Sequence, residues 1–386
     1  MNFELSDDQK AFVEAAKSFA VKELMPHAAE WDSKKFFPVD VIKKAGELGF
    51  LAVYTKSDFG GSGLSRLDGA MIFEELAFGC TSTAAYITIH NMVTWIIDSF
   101  ATPDLREHYV PKMASGEILG SYCLTEPGSG SDAASLKTSA VKKGNHYVVN
   151  GSKAFVSGAG STQVLVLMCR TGGEGAKGIS ALIVPCDLKG ISFGENEKKM
   201  GWNSQPTRVI SFDNVEVPFK NLLWEEGKGF NIAMMGLDGG RINIGTCSVG
   251  TAQAALQRAQ TYMHERKQFG KSLAEFQAMQ FKIADMITKI TASRQMIRFA
   301  AAKLDQKDSQ ATAYCAMAKM FATEECFKVC DEALQIHGGY GYTQEYPLER
   351  HVRDSRVHRI LEGTNEVMRM IVARKILEDG APEKMR

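Results

Sequence analysis

The sequence predicts an α+β protein of three successive units: an N-terminal α-helical unit, a middle antiparallel β-sheet or barrel, and a C-terminal helical unit. Three observations predict it. Amphipathic helical periodicity runs through most of the chain before residue 120. Between 137 and 220 it gives way to short β-branched runs punctuated by Gly/Asn turns. After about Phe230 helical periodicity returns and persists to the end. The expected units are 1–121, 122–228 and 229–386.

The elements follow in order. Ser6-x-x-Gln9 is a capping-box pattern ahead of Phe12, Ala16, Phe19 and Ala20, so the chain opens with an amphipathic helix stopped near Pro26. Helices are expected around 38–49, 67–78, 83–100 and 103–115, with Asp58-Phe-Gly-Gly-Ser-Gly63 as a loop and no strand before residue 120. Strands are expected at Tyr147–Val149, Val164–Met168, Ile179–Val184 and Arg208–Phe212, with Lys142-Lys-Gly-Asn145 and Asn150-Gly151 as turns. In the segment 309–336, Met320, Phe327, Cys330 and Leu334 fall on one helical face.

Composition removes several function classes. Across 386 residues, 45 basic side chains balance 45 acidic ones, so no electrostatic footprint for nucleic acid exists and an acidic coenzyme has to be met by local charges. No apolar run reaches the length of a membrane span. The eight cysteines are scattered; Cys326 and Cys330, at i, i+4 in a helical pattern, read as two buried small residues. No Cys-x-x-Cys or paired-His spacing supports zinc, no metal is expected, and His337 and His358 read as structural. The chain reads as reduced and intracellular. Met-Asn-Phe-Glu-Leu-Ser carries no signal or transit pattern, which leaves a bacterial cytoplasm or, for a processed form, the mitochondrial matrix.

The segments with chemical content lie at the unit junctions and near the C-terminus. Glu362-Gly-Thr364 sets a carboxylate, a close-approach backbone position and a hydroxyl in three residues, and Gly338-Gly339 offers a second place where backbone can touch a flat or phosphorylated ligand. By itself Glu-Gly-Thr is an ordinary turn or helix start. Gly128-x-Gly130-x-x-Ala133 formally matches a dinucleotide fingerprint, yet that motif needs a preceding strand and a βαβ context, and neither is expected here.

Taken together, Gln335-Ile-His-Gly-Gly-Tyr-Gly-Tyr342, Arg350-His-Val-Arg-Asp354, Ile360-Leu-Glu-Gly-Thr-Asn-Glu366 and the α–β–α order resemble the acyl-CoA dehydrogenase family, from about Leu5 to about Arg374. The resemblance implies a C-terminal four-helix bundle, FAD as cofactor, Glu362 as the base that removes the α-proton of an acyl-CoA, and electron-transfer flavoprotein as the acceptor of the electrons. Tyr122, Cys123, Leu124, Thr125, Gly128, Ser129, Gly130 and Ser131 look like the flavin-binding loop, with Ser131 also near substrate. Phe155, Val156 and Ser157 stand where many members have Trp-Ile-Thr beside the flavin ring. Arg266, Phe276 and Gln277, with Gln335, Ile336, His337, Gly338 and Gly339, correspond to FAD contacts made across a subunit boundary, which implies a homotetramer. Thr364, Asn365 and Glu366 correspond to further flavin contacts.

Leu237, Asp238, Gly239, Gly240, Arg241, Gly363 and Arg374 correspond to acyl-CoA contacts, although Asp238 and Arg241 alone read equally as an i, i+3 surface ion pair. A minority of the family carries its base where Gly240 stands, so the resemblance puts the base at Glu362. The thioester oxygen would be held by the base's own N–H and a ribityl hydroxyl of FAD. Lys198–Arg208, Gly79–Thr83, Ile89–Met92, Leu237–Asn243, Phe155 and Leu361 are similar to the branch acting on isobutyryl-CoA, a step of valine catabolism. Tyr86, Ile87, Met92 and Trp95 are candidates to line the acyl pocket or to be core. A butyryl- or 2-methylbutyryl-CoA dehydrogenase, an acyl-CoA oxidase and a non-catalytic helical scaffold are the alternatives.

Overall fold

The structure is a computed structural model that describes residues 4–379. Helix α1 (Asp7–Phe19) begins at a complete capping box, with Ser6 Oγ accepting from Gln9 N and the Gln9 side chain accepting from Ser6 N. It runs through a wider π-turn, Ala20–Leu24, and stops before Pro26 because proline supplies no N–H to continue the ladder. Short helices α2 (Ala28–Lys34) and α3 (Val39–Glu47) follow, then the longer α4 (Arg66–Gly79), α5 (Thr81–Phe100) and α6 (Pro103–Ala114). Helix α5 is buried nearly all round, and it joins two cores. Tyr86 and Ile87 pack with α1 and α4, whereas Met92, Val93 and Ile96 pack against the sheet.

The middle unit holds strands β1 (Gly120–Cys123), β2 (Ser139–Lys143), β3 (His146–Ser157), β4 (Val164–Arg170), β5 (Ile179–Pro185), β6 (Ile191–Phe193), β7 (Thr207–Pro218) and β8 (Leu222–Leu223). Among the described residues they form one eight-stranded sheet, ordered β6-β7-β3-β2-β4-β5-β8, with β1 also on β4. Strands β4 and β5 are apolar at nearly every position, Arg170 and Ser180 apart, because both faces are covered. Val164, Val166 and Met168 join the core shared with α5, and Leu165, Leu167 and Cys169 join the opposite core within the sheet unit. Period-2 geometry thus divides one apolar run between two cores.

Helices α7 (Gly229–Glu265), α8 (Gln277–Asp305) and α9 (Ala311–His337) form the C-terminal bundle, and a two-residue hairpin, β9 (Lys267–Gln268) and β10 (Lys271–Ser272), turns through Phe269 and Gly270. Both turn residues have positive φ, 54° and 82°, as the tight hairpin requires. The chain closes with α10 (Gly339–Tyr342), α11 (Leu348–Arg356) and α12 (Asn365–Asp379). Asp354 of α11 accepts from Trp202 N at 2.6 Å, and Arg353 pairs with Asp32 at 2.6 Å, tying the last unit to the other two.

Four expectations are corrected. The sheet is not wholly antiparallel: β1 pairs with β4 in parallel, since the chain arrives at β1 from the helical unit and not from a hairpin. That strand also precedes the Gly128/Gly130 loop, where none was expected. A short 3-10 turn and an antiparallel hairpin follow it, so the dinucleotide fold remains excluded. Asn150-Gly151 is not a turn but an irregularity inside the 12-residue β3. Gly151 lies where a Cβ would stand 2.7 Å from Thr138 Cα, so close approach explains the glycine. In α9, Met320, Phe327 and Leu334 are only half-buried; Ala322, Cys326, Cys330 and Ala333 make the enclosed line. Cys326 and Cys330 are free and fully buried, as expected.

Candidate active site

Glu362 sits on the tight turn that leads into α12, and both it and Gly363 are left-handed, with φ of 56° and 87°. A carboxylate-bearing residue in that conformation is uncommon and must be held by its surroundings. Lys319 of α9 does so by donating to Gly363 O at 2.8 Å and to Asn365 Oδ1 at 2.9 Å. The turn presents the Glu362 carboxylate to Gly240 of α7. A Cβ on Gly240 would lie 2.2 Å from Glu362 Oε2, so glycine here is a condition for the carboxylate's position.

Although the residue is partly exposed, Glu362 Oε2 itself is closed off and has no hydrogen-bond partner. Burial raises its pKa from the ordinary 4.5 to about 7, while Arg241 and Lys319 pull the other way without cancelling it. The same burial lowers Lys319 to about 7, against the pull of Glu362. Tyr122, at the end of β1, has a buried, unpartnered hydroxyl. Burial and then the charge of Glu362 drive it far upward, so it stays protonated.

Around this carboxylate α7 places Asp238 and Arg241, paired at 2.6 Å, with Thr312 Oγ1 donating to Asp238 at 2.6 Å. The pair is buried and not on the surface, which removes the bland reading of the i, i+3 spacing. Gly239 is packed against Arg66, whose guanidinium lies 3.6 Å from the ring centre of Tyr54 and 4.7 Å from that of Trp95. Arg66 and Tyr54 escaped the sequence reading, because one looks like a helix-start charge and the other like a core ring. Tyr86 and Ile87 are enclosed in the core, with the Tyr86 hydroxyl donating to Gly120 O.

The Tyr122–Ser131 segment runs from β1 into a tight loop closed by reciprocal bonds between Glu126 and Ser129, at 3.0 and 3.1 Å. Its foundation is a buried ion pair that no local pattern in the sequence announces. Lys153 Nζ donates to Glu126 Oε1 at 2.8 Å and to Leu124 O at 2.9 Å, and Glu126 also accepts from Lys137 N and Thr138 N. Burial alone would raise Glu126, but Lys153 and those amides together hold it below the usual carboxylate range. Gly128 and Gly130 face open space, and Ser131 is exposed.

Strand β3 lies beside this loop, with Ala154 N donating to Thr125 O at 2.8 Å and Ser121 Oγ to Ser157 O at 2.7 Å. Its register shifts between Lys153 and Val156, and at that bulge Phe155 takes φ 55°. Val156 turns inward and Phe155 stands 68 % exposed. The bulge is therefore what lifts an aromatic ring clear of the sheet.

A second group of expected residues lies elsewhere. Gln335, Ile336, His337, Gly338 and Gly339 line a cleft of about 550 Å³ together with Arg266. His337 is spent structurally, stacked on Tyr262 and bonded through Nδ1 to Ala333 O at 2.8 Å. Phe276 and Gln277 open α8 beyond the hairpin. Asn365 is buried, its amide engaged by Lys319, Thr323 and Glu324, whereas Thr364 caps α12 by accepting from Val367 N and Glu366 is exposed. Arg374 is exposed on α12. Among the described residues no cluster of His, Cys, Asp and Glu could hold a metal, and no helix is long and apolar enough to cross a membrane.

Sequence profiles of the acyl-CoA dehydrogenase N-terminal, middle and C-terminal domains match residues 6–117, 121–215 and 227–377. The chain belongs to the acyl-CoA dehydrogenase family. It is 55 % identical over 97 % of its length to the mitochondrial isobutyryl-CoA dehydrogenase of Bos taurus, covering 90 % of that protein. Among solved structures it resembles butyryl-CoA dehydrogenase from Megasphaera elsdenii, with a TM-score of 0.95 and 38 % identity, over 98 % of this chain and 100 % of that one. The FAD complex of PigA aligns with a TM-score of 0.94 at 29 % identity, over 97 % and 99 %. This acyl-CoA dehydrogenase is an oxidoreductase of a flavin-using family. Its open Gly128/Gly130 loop, with the raised aromatic ring of Phe155 beside it, fits a flat, phosphorylated cofactor.

Proposed function

We propose that this protein dehydrogenates isobutyryl-CoA to methacrylyl-CoA, with Glu362 as the base. The observation that carries the reading is the Glu362 carboxylate, whose Oε2 is closed off from water, without a hydrogen-bond partner and facing a glycine. An α-proton of a thioester is too weakly acidic for an ordinary solvated carboxylate. A desolvated one, with a pKa moved to about 7, is better matched to the task at neutral pH. The proton passes from the α-carbon to Glu362, and the β-carbon gives up a hydride. FAD, when bound, supplies the acceptor for that hydride, and electron-transfer flavoprotein is the proposed destination of the electrons.

The chain's own groups then have assignable tasks. The Glu362 N–H is a donor for the thioester oxygen as negative charge develops on it. Asp238, Arg241, Gly363 and Arg374 would hold acyl-CoA, and Trp95 beside Arg66 would close the acyl end. Thr125, Ser131, Phe155 and Ser157 would hold FAD, with Arg266, Gln277 and 335–339 reaching a neighbouring subunit's cofactor in a homotetramer. Dilution to monomer should then release FAD, and a stable monomer with full flavin in sedimentation would overturn that assembly. The identity to a mitochondrial relative favours the mitochondrial matrix over a bacterial cytoplasm.

Anaerobic mixing with a panel of acyl-CoA thioesters tests the substrate. Isobutyryl-CoA should bleach the flavin fastest, with slower bleaching by 2-methylbutyryl- and butyryl-CoA, because an apolar pocket separates one methylene by only about 1–3 kcal/mol. Faster bleaching by a straight chain of eight carbons would overturn the branch assignment and leave the dehydrogenase reading standing.

A further inference from the structure

Lys319 is a fully buried lysine in the middle of α9, with 0 % of its surface exposed. A buried ammonium is retained only where bonds compensate its lost hydration. Here both acceptors of its hydrogen bonds belong to the turn that carries the base: Gly363 O, on the residue directly after Glu362, and Asn365 Oδ1, at the start of α12. Thr323 and Glu324, one turn further along α9, take the Asn365 amide at 3.0 and 3.1 Å. Helix α9 therefore grips the turn on the far side of Glu362 through a cation, while α7 leaves room for the carboxylate at Gly240.

We propose that Lys319 is a positioning residue for the dehydrogenation: its ammonium holds the left-handed Glu362–Gly363 turn through the Gly363 carbonyl and biases the Glu362 carboxylate toward its ionised, proton-accepting form. This rests on Glu362 being the base. A neutral donor could hold the turn, and a cation elsewhere could bias the carboxylate; one lysine does both, which explains why a costly buried charge stands here. The groups around it are consistent with this. Glu362 and Glu366 face it from the C-terminal segment, Arg241 from α7 and Glu324 from its own helix. His358, pushed down to about 3 by burial and then by Lys319 itself, stays neutral and adds no competing charge.

The test measures anaerobic flavin reduction by isobutyryl-CoA across pH 5–9 in the holoenzyme, with Lys319→Gln, Lys319→Met and Lys319→Arg. The Gln variant keeps a donor and loses the charge, so its pH midpoint should move upward by about one unit and its rate recover at high pH. Met loses both, and its limiting rate should stay down by about 10–100-fold at every pH, with KM for acyl-CoA within about 2-fold of wild type. Arg keeps the charge at every pH tested, so its midpoint should lie at or below that of wild type, whose lysine loses its proton near 7. An unchanged pH profile in the Gln variant would overturn the inference and leave Lys319 a core residue. Where the Lys319 variants do not fold, Asn365→Ala carries the test: it frees one anchor of Lys319 and should shift the midpoint in the same direction, and no shift overturns the proposal. Glu362→Gln is measured alongside. If that variant still reduces its flavin, the base assignment fails and this inference with it; if it is inactive while Lys319→Gln is unmoved, this inference alone fails.

Discussion

Two carboxylates of this chain, the buried Glu126 and Glu362 with its enclosed Oε2, have opposite surroundings. Glu126 accepts from Lys153, Lys137 N and Thr138 N and is held below its usual pKa. Glu362 leaves Oε2 without a partner, keeps its two cations from offsetting burial, and rises to about 7. The difference teaches that a reactive carboxylate is made by withholding hydrogen bonds, and a structural one by supplying them. Glu126 anchors a loop, and Glu362 is left free for the proposed role of proton acceptor.

The sharpest break of the comparison is Glu362→Gln. Removing a positioned general base costs about 10²–10⁴ in rate, so the variant should fold, retain flavin and hardly be reduced by isobutyryl-CoA in stopped flow. Wild-type reduction should rise with pH through about 7, because the ionised carboxylate is the acting form.

Lys153→Met should damage structure where the Glu362 change damages chemistry. Breaking a buried ion pair costs about 3–5 kcal/mol, since Glu126 keeps its charge without its partner. Denaturant unfolding should record that loss, and flavin should be released at lower denaturant. A stable, flavin-replete Met variant would mean that Glu126 is satisfied by backbone amides alone.

Gly240→Ala probes the space in front of the base. The added methyl would fall on Glu362 Oε2, so the carboxylate has to turn away, with a loss of about 10–100-fold in reduction rate and little change in melting temperature. Retention of wild-type rate would show that the base reaches substrate from another rotamer.

The smallest effect is on stability. Glu362 has a raised pKa when folded, so its contribution to stability is complete below about 4.5 and is lost as pH rises through about 7. Glutamine carries no such cost. Glu362→Gln should therefore melt higher than wild type at pH 8, by about 1–3 kcal/mol of stability, with the gap closing near pH 5. Glu126 has the opposite sign: its contribution is lost as pH falls below the ordinary carboxylate range.

By itself the sequence determined the α–β–α order, the helix start at Ser6, the buried pair Cys326 and Cys330, and the segments from which the site is built. These are legible because caps, periodicities and Gly-rich turns act over a few residues. Tertiary structure decided what those segments do. The parallel β1–β4 pairing, the bulge that lifts Phe155, the Lys153–Glu126 pair and the grip of Lys319 on Gly363 each join residues far apart in sequence. Lys153 and Lys319 look like solvated charges in their local patterns, because a lysine's burial depends on what packs over it and on whether distant acceptors arrive. Glu362 shows the same division: its identity as a carboxylate is local, and its raised pKa comes from burial in the folded chain, with α7 closing over Oε2 at Gly240.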